Sequence, residues 1–506
     1  MILHRPLAKV RHLLERFQEL ERDVASLGER LGDLHSETSV RLTDLRSDLR
    51  EEASATRDEV LAVRASASHD AASAQEAAGR RFRELRDSVH LIPRRLPLTR
   101  PRVRVLFLVH HIESWDSYHA VVEEMRRSAE FEPIVASMPR RFNGSPGLTF
   151  EEEVHRGLQA RGVPHLRLPA HDDDEALRLV KWIDPDLVFR QSQWDADVPA
   201  DMGTDRLSFA RLCLVPYETM NLVRNVPFGW ESNTAVDSAY HRAAWLVCCT
   251  NEAVLETARR DGARGGAQFS VTGHPKADRL RAASPSWPIA RDADVPPSRR
   301  VVWSAHHSIA EGWTDFGLFP SMAEDMLSWA AAAADVDFVF MPHPALVPFT
   351  SSPDSPVTRE QYDEWQARWL ALPNTAVLSD PDYAPVLAAS DVMVTDGLSM
   401  LVEYQLLQKP LVFVEREGHR PFNEVGVQVL TGTHPVASTA QARELVDRFL
   451  AGEPDDRRPQ QERNVAELFG PAGAAERIVA AVARAVADER GDRGTARPEL
   501  GSVGAL

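Results

Sequence analysis

Cysteine is scarce, with three among 506 residues: Cys213, Cys248 and Cys249. They show no C-x-x-C spacing and no paired framework, which argues against a structural zinc site and fits a reducing compartment. All three read as core. Long apolar runs are missing as well. No stretch approaches the roughly 20 residues that cross a bilayer, and the opening MILHRPLAKVRHLLERF lacks the continuous apolar segment of a secretory signal. The expected location is therefore the cytoplasm. An excess of positive charge is absent too, since 75 acidic residues face 58 basic ones for a net charge of −17. That balance excludes general nucleic-acid binding, which needs clustered Lys and Arg against the phosphate backbone. No metal cluster is evident and no Asp-x-Asp pair stands in a loop suited to a divalent ion, so neither a cofactor nor an essential metal is expected.

What remains is ordinary for a soluble globular chain, 43% hydrophobic and 26% charged. The length implies two or three domains. From Leu13 the apolar residues fall at Phe17, Leu20, Val24, Leu27, Leu31 and Leu34, alternately four and three apart. That is a coiled-coil seam, which buries itself only against another helix, and it predicts a homo-oligomer through residues 1–90. Leu42, Leu45 and Leu49 continue it one position out of register, a phase break. Residues 91–102, IPRRLPLTRPR within a Pro- and Arg-rich stretch, read as the linker that ends the helix. With Arg5, Lys9, Arg11 and Arg16 this basic stretch either lies solvated or meets an anionic membrane surface, which would make the protein peripheral at the inner face of the cell membrane.

From Val103 short β-branched runs alternate with amphipathic helices, the signature of parallel sheets covered on both faces. VRVLFLVH, EPIVASMP, PDLVFRQS, RLCLVPYE, AWLVCCTN and QFSVTGHP form one series; RRVVWSAHH, VDFVFMPHP, TAVLSD, DVMVTDG and KPLVFVE form another. Two doubly wound α/β domains follow, residues 103–285 and 296–490, facing a central cleft, with a Pro- and Ser-rich boundary near residues 284–298 and a disordered tail over 491–506.

In open parallel sheets ligands bind beyond the carboxyl ends of the strands. There stand His110 and His111, Gly273 and His274, His306, His307 and Ser308, His343 and Pro344, and Thr395, Asp396, Gly397 and Ser399. A lone histidine after a strand is more often structural, but five strand ends carrying such residues point to one cleft. After DVMVT, Gly397 is read as a sharp turn and Ser399 as the first turn of a helix, whose free N–H groups suit a pyrophosphate; ordinary capping by Asp396 or Ser399 is the alternative. Glu403, four residues on, would meet a ribose or acceptor hydroxyl.

The ordered set SAHHSI, FMPHP and SDVMVTDGLSMLVEY with KPLVFVE resembles the CDP-glycerol glycerophosphotransferase family, the teichoic acid primases and polymerases of GT-B fold, from about Val103 to Ala487. TGHPKADRL is similar to that family's Gly-x-Pro-x-x-Asp element. The resemblance implies that His343 contacts a donor pyrophosphate and that Thr395, Asp396 and Ser399 surround the donor phosphates and glycerol. It implies transfer of glycerol phosphate from a CDP-linked donor to a polyol, glycan or lipid-linked acceptor. The family's Thr-Asp-Tyr-Ser-Ser is Thr-Asp-Gly-Leu-Ser here, so a nucleotide-sugar glycosyltransferase stays open, as does an enzyme related to UDP-GlcNAc 2-epimerase. In the transferase, His110 or His111 is the expected general base and Asp116 the next candidate, with His306, His307, His343 and Ser399 on the leaving-group side.

Overall fold

The computed structural model describes residues 5–95, 98–141, 151–168, 175–224, 233–290, 299–312, 314–378 and 382–491. Two compact units are present, residues 1–86 and 87–506. The first is one continuous helix, α1 (Arg5–Arg95), which passes through the phase break without interruption and runs beyond the expected end at residue 90. Its seam residues Leu13, Phe17, Leu20, Val24, Leu27, Leu31 and Leu34 are each exposed by more than half. Two arginines of the linker are held by the second unit's first sheet and its neighbouring loops: Arg100 pairs with Asp184 and donates to its carbonyl at 2.6 Å, and Arg102 donates to the carbonyl of Phe131 at 2.6 Å.

The second unit holds two parallel sheets. The first comprises β1 (Val103–Val109), β2 (Phe131–Ser137), β3 (Leu166–Arg167), β4 (Leu187–Arg190), β5 (Arg211–Leu214), β6 (Leu246–Cys249) and β7 (Phe269–Val271), in the order β3-β2-β1-β4-β5-β6-β7. The second comprises β8 (Arg299–Ala305), β9 (Val336–Pro342), β10 (Thr375–Val377), β11 (Val392–Thr395), β12 (Leu411–Val414) and β13 (His434–Val436), in the order β10-β9-β8-β11-β12-β13. The strands are buried almost without alternation, as both-face coverage by helices demands. The edge strands β3 and β13 escape the sequence reading because two or three half-polar residues carry no apolar run.

Three further helices position the site: α2 (Pro275–Arg281), α3 (Leu398–Glu403) and α4 (Ala474–Gly491). The last corrects the expected division, which placed it in the second domain. Its buried face, Ile478, Val482 and Val486, lies in the same apolar cluster as Val103, Phe107 and Leu187 of the first sheet. Its end is tied there too: Glu489 accepts from Arg211 Nε at 2.6 Å and Trp245 Nε1 at 3.1 Å. A period of 3.6 reveals which face of a helix is apolar but not which sheet it covers. Of the expected tail, residues 492–506 lie outside the described residues, as do 291–298 of the expected boundary.

Candidate active site

Both sheets reverse their order next to their first strand, between β1 and β4 and between β8 and β11. Such switch points open a crevice at the carboxyl ends of the strands. In the first sheet the turn after β1 is held by Gln191, one residue past β4. Its Oε1 accepts the N–H of His110 at 3.0 Å and of His111 at 2.9 Å, while its Nε2 donates to the carbonyls of His111 at 3.1 Å and Ser114 at 3.2 Å. His110 is fully buried. Burial, with Arg190 and Arg140 nearby, holds its proton affinity far below the usual histidine range. His111 is half-buried and stacks on Tyr217 at 4.5 Å between centroids. Arg140 Nη1 lies 2.7 Å from His111 Nδ1 and also reaches Glu113 at 2.9 Å. Because an arginine only donates, His111 Nδ1 accepts, and the neutral ring carries its proton on Nε2. Asp116 follows, half-buried, its carboxyl pushed up by burial and by Asp382 against the pull of Arg279 and Lys276.

In the second sheet two histidines use Nδ1 in the same way. His306 Nδ1 lies 2.8 Å from Ser308 Oγ and accepts the Ser308 N–H at 3.2 Å; His343 Nδ1 accepts the Ala345 N–H at 3.1 Å. Both rings therefore present an Nε2–H. His307 stacks on His343 at 4.2 Å, and burial lowers its pKa to about 4. Ser308 Oγ accepts from Thr314 Oγ1 at 2.8 Å and Phe316 N at 3.1 Å, which fixes the turn. Pro344 is exposed beside His343.

Asp396 is fully buried, its oxygens accepting the N–H of His306 at 2.7 Å and of Leu318 at 2.5 Å. It ties together the two ends of the loop after β8 that carries His306 and His307, and burial pushes its pKa up to about 7. Thr395 Oγ1 accepts the Gly397 N–H at 2.9 Å. Gly397 stands at φ −101° and ψ 147°, ordinary extended backbone, so the turn from β11 into α3 does not draw on glycine's left-handed range; a side chain here would meet Thr395 Oγ1 at 3.3 Å and the His306 side chain at 3.8 Å. Gly397 is also the N-cap, and no side chain caps α3, so capping by Asp396 or Ser399 is not the arrangement. Ser399 is exposed on the first turn.

The Gly-x-Pro-x-x-Asp element joins the two sheets. Gly273 has φ +75°, where other residues are strained, and a side chain there would meet Arg477 Nη2 at 2.7 Å. His274 caps α2: Nδ1 accepts the Lys276 N–H at 3.2 Å and Nε2 donates to the Pro216 carbonyl at 2.8 Å. Asp278 accepts the N–H groups of Gly473 at 3.0 Å and Ala474 at 2.7 Å, capping α4. Glu403, fully buried, pairs with Lys276 Nζ at 3.1 Å and accepts from Tyr383 Oη. Both its oxygens are thus engaged within the protein.

Burial first, then His307 and His306, hold the His343 proton affinity far below the usual histidine range, and Arg140 and Lys276 across the cleft add to it; His111 is held down by burial, His110 and Arg140, with a further push from His343. The structure therefore brings His111, Arg140, Lys276, His307 and His343 together, with the His306 ring tilted against His307 and His343. Arg140 and Gln191 were missed because their partners are distant in sequence. An Asp-x-Asp pair does follow β4, contrary to the sequence reading, but Asp195 is held by Arg190 at 2.8 Å and Thr204 Oγ1 at 2.7 Å, and Asp197 accepts from Ser192 Oγ at 2.6 Å. Among the described residues, one group has metal-ligand proximity: His434, Asp455 and Asp456, whose ligand atoms lie within 4.8 Å. His434 opens β13, at the end of the strand away from the cleft.

No protein-family model and no curated protein matches the chain. Solved structures do. A structure of MnaA from S. aureus with UDP superposes at TM-score 0.52 and 14% identity, covering 79% of this chain and 99% of that one. A UDP-N-acetylglucosamine 2-epimerase from Listeria monocytogenes, described as putative in its name, gives 0.51 and 16%, covering 78% and 99%. A variant of the wall teichoic acid polymerase TagF gives 0.50 and 12%, covering 81% and 95%. The two Rossmann-like sheets and their closing helix thus make up the GT-B fold that this chain shares with these enzymes.

Proposed function

We propose that the protein is a transferase acting on a nucleotide-activated donor, with CDP-glycerol or a related CDP-linked polyol phosphate as the donor that its motifs favour. The observation that carries this reading is the state of the cleft histidines. In His111, His306 and His343 the Nδ1 atom is occupied by a donor, so each neutral ring offers an Nε2–H. With Arg140 and Lys276 beside them, these rings form an array of fixed donors suited to a diphosphate whose charge grows as the bond to the leaving phosphate breaks. With CDP-glycerol, the acceptor oxygen would bond to the β-phosphorus as the bridging P–O bond breaks and CMP departs.

The same protonation states make the histidines poor bases. His110 has no exposed atom, and the lone pair of His111 is taken by Arg140. Asp116 is half-buried, and burial with Asp382 beside it makes it hold its proton more tightly than an ordinary carboxyl, which makes it a better proton acceptor than a solvated carboxylate. We assign the base to Asp116. A thermal-shift screen of CDP-glycerol, CDP-ribitol, UDP-sugars and GDP-sugars tests the donor, because a ligand of the folded state raises the melting temperature. No shift with any of them would sink the reading. The likeness in fold to 2-epimerases supports a second reading, and incubation with donor alone separates the two: only an epimerase makes a new sugar nucleotide without an acceptor. The seam on α1 supports a homodimer built through residues 1–90.

A further inference from the structure

A pocket opens beside the histidine cleft at the carboxyl ends of β4, β5 and β6. Gln193, Glu218 and Thr219 line one side, Val247 and Phe269 form an apolar wall, and Asn423 from the second sheet closes it. The segment after β5 serves both places: Tyr217 stacks on His111, and the next residue, Glu218, lines the pocket. Among the described residues, two polar atoms in it have no partner: Gln193 Oε1 and Thr219 Oγ1 make no hydrogen bond, although the residues are only 3% and 4% exposed. Gln193 Nε2 donates to Glu218 Oε1 at 3.4 Å, which orients the amide and leaves its oxygen for another donor. Buried polar groups are normally satisfied, so a pair of open ones in a pocket marks a place for a ligand.

The chemistry of the lining narrows the class. No lysine or arginine is among the described lining residues, and the one histidine, His241, is kept neutral by burial with a pKa of about 3. Glu218 is the carboxyl in the lining, and Lys276, the cation near it, stands outside the lining and is paired with Glu403, so a phosphate would meet an acid first. A hydroxyl can instead donate to Gln193 Oε1 and exchange a hydrogen bond with Thr219, while the carbon face of the same molecule lies on Phe269. We propose that this pocket binds a neutral, hydroxyl-rich group, a polyol or a sugar, and on the transferase reading it holds the acceptor.

Saturation-transfer NMR on the full chain, with ribitol and methyl N-acetyl-β-D-glucosaminide as probes, tests this alongside titrations of CDP and UDP. One of the probes is expected to bind, to resist displacement by either nucleotide, and to bind better than ribitol 5-phosphate. In the Gln193→Met, Thr219→Val double variant its affinity should fall about tenfold, as for two lost hydrogen bonds, with nucleotide affinity unchanged. Absence of probe binding, displacement by a nucleotide, equal binding of the phosphate, or unchanged affinity in the variant overturns the proposal. Should the variant not fold, the displacement and phosphate arms decide on the wild-type protein. If the probes bind as expected and no nucleotide does, the subsite stands and the transferase reading fails.

Discussion

At the scale of single residues, the cleft depends on which side of each imidazole is spoken for. His343→Ala removes an Nε2–H donor from a half-buried position, so nucleotide affinity should fall about tenfold, the worth of a hydrogen bond to a charged group, while melting stays near wild type. Calorimetric titration with the donor found by screening measures this. Asp116→Asn should lower turnover about a hundredfold or more while leaving donor affinity intact, as for a removed base; a larger loss in His111→Gln than in Asp116→Asn would return the role to the histidine. Asp396 supplies a pH test. Its folded-state pKa of about 7 lies above that of an ordinary carboxyl. The native state therefore binds more protons than the unfolded chain between about pH 4 and 7, and this residue's contribution to stability declines as pH rises through that window. Asp396→Asn should lack that contribution in a series of denaturant titrations across the same range. The positions of these residues were legible in the sequence, because strands buried on both faces read as β-branched runs and their ends can be counted. Their roles were not: that Asp396 closes the loop after β8, or that Gln191 clamps the turn after β1, depends on backbone groups some eighty to ninety residues away.

At the scale of elements, the Gly-x-Pro-x-x-Asp segment does three jobs in one turn of chain. The glycine admits a left-handed backbone under Arg477, the proline starts α2, and Asp278 caps α4. Gly273→Ala should destabilise the fold by about 1 kcal/mol or more, through the positive φ and the close guanidinium. Asp278→Ala should cost about 1 kcal/mol as a lost cap. Equilibrium unfolding in guanidinium measures both, and the mechanism predicts unchanged m-values, since neither alters the surface exposed on unfolding. The resemblance to the glycerophosphotransferase family picked out this element without telling what the aspartate holds, since its partner, the start of α4, lies far along the chain.

At the scale of the whole molecule, the strict spacing of the α1 seam was plain in the sequence, and the exposure of those leucines in a single chain is what a second helix would relieve. Light scattering should report a dimer for the full chain and a monomer for a chain starting near Pro101. Leu20→Asp with Leu27→Asp should give the same loss of mass with the circular dichroism of the second unit unchanged.

The return of α4 to the first sheet has a consequence for biosynthesis. A domain generally acquires its core as it leaves the ribosome, amino-terminal parts first. Here the β1–β7 sheet emerges early, yet Ile478, Val482 and Val486, which finish its core, are translated only after the entire second sheet. The earlier half must wait with an open apolar groove while the later half is made, so arrested nascent chains ending near residue 470 should remain protease-sensitive over residues 103–271, and release of the last thirty-odd residues should protect both sheets together.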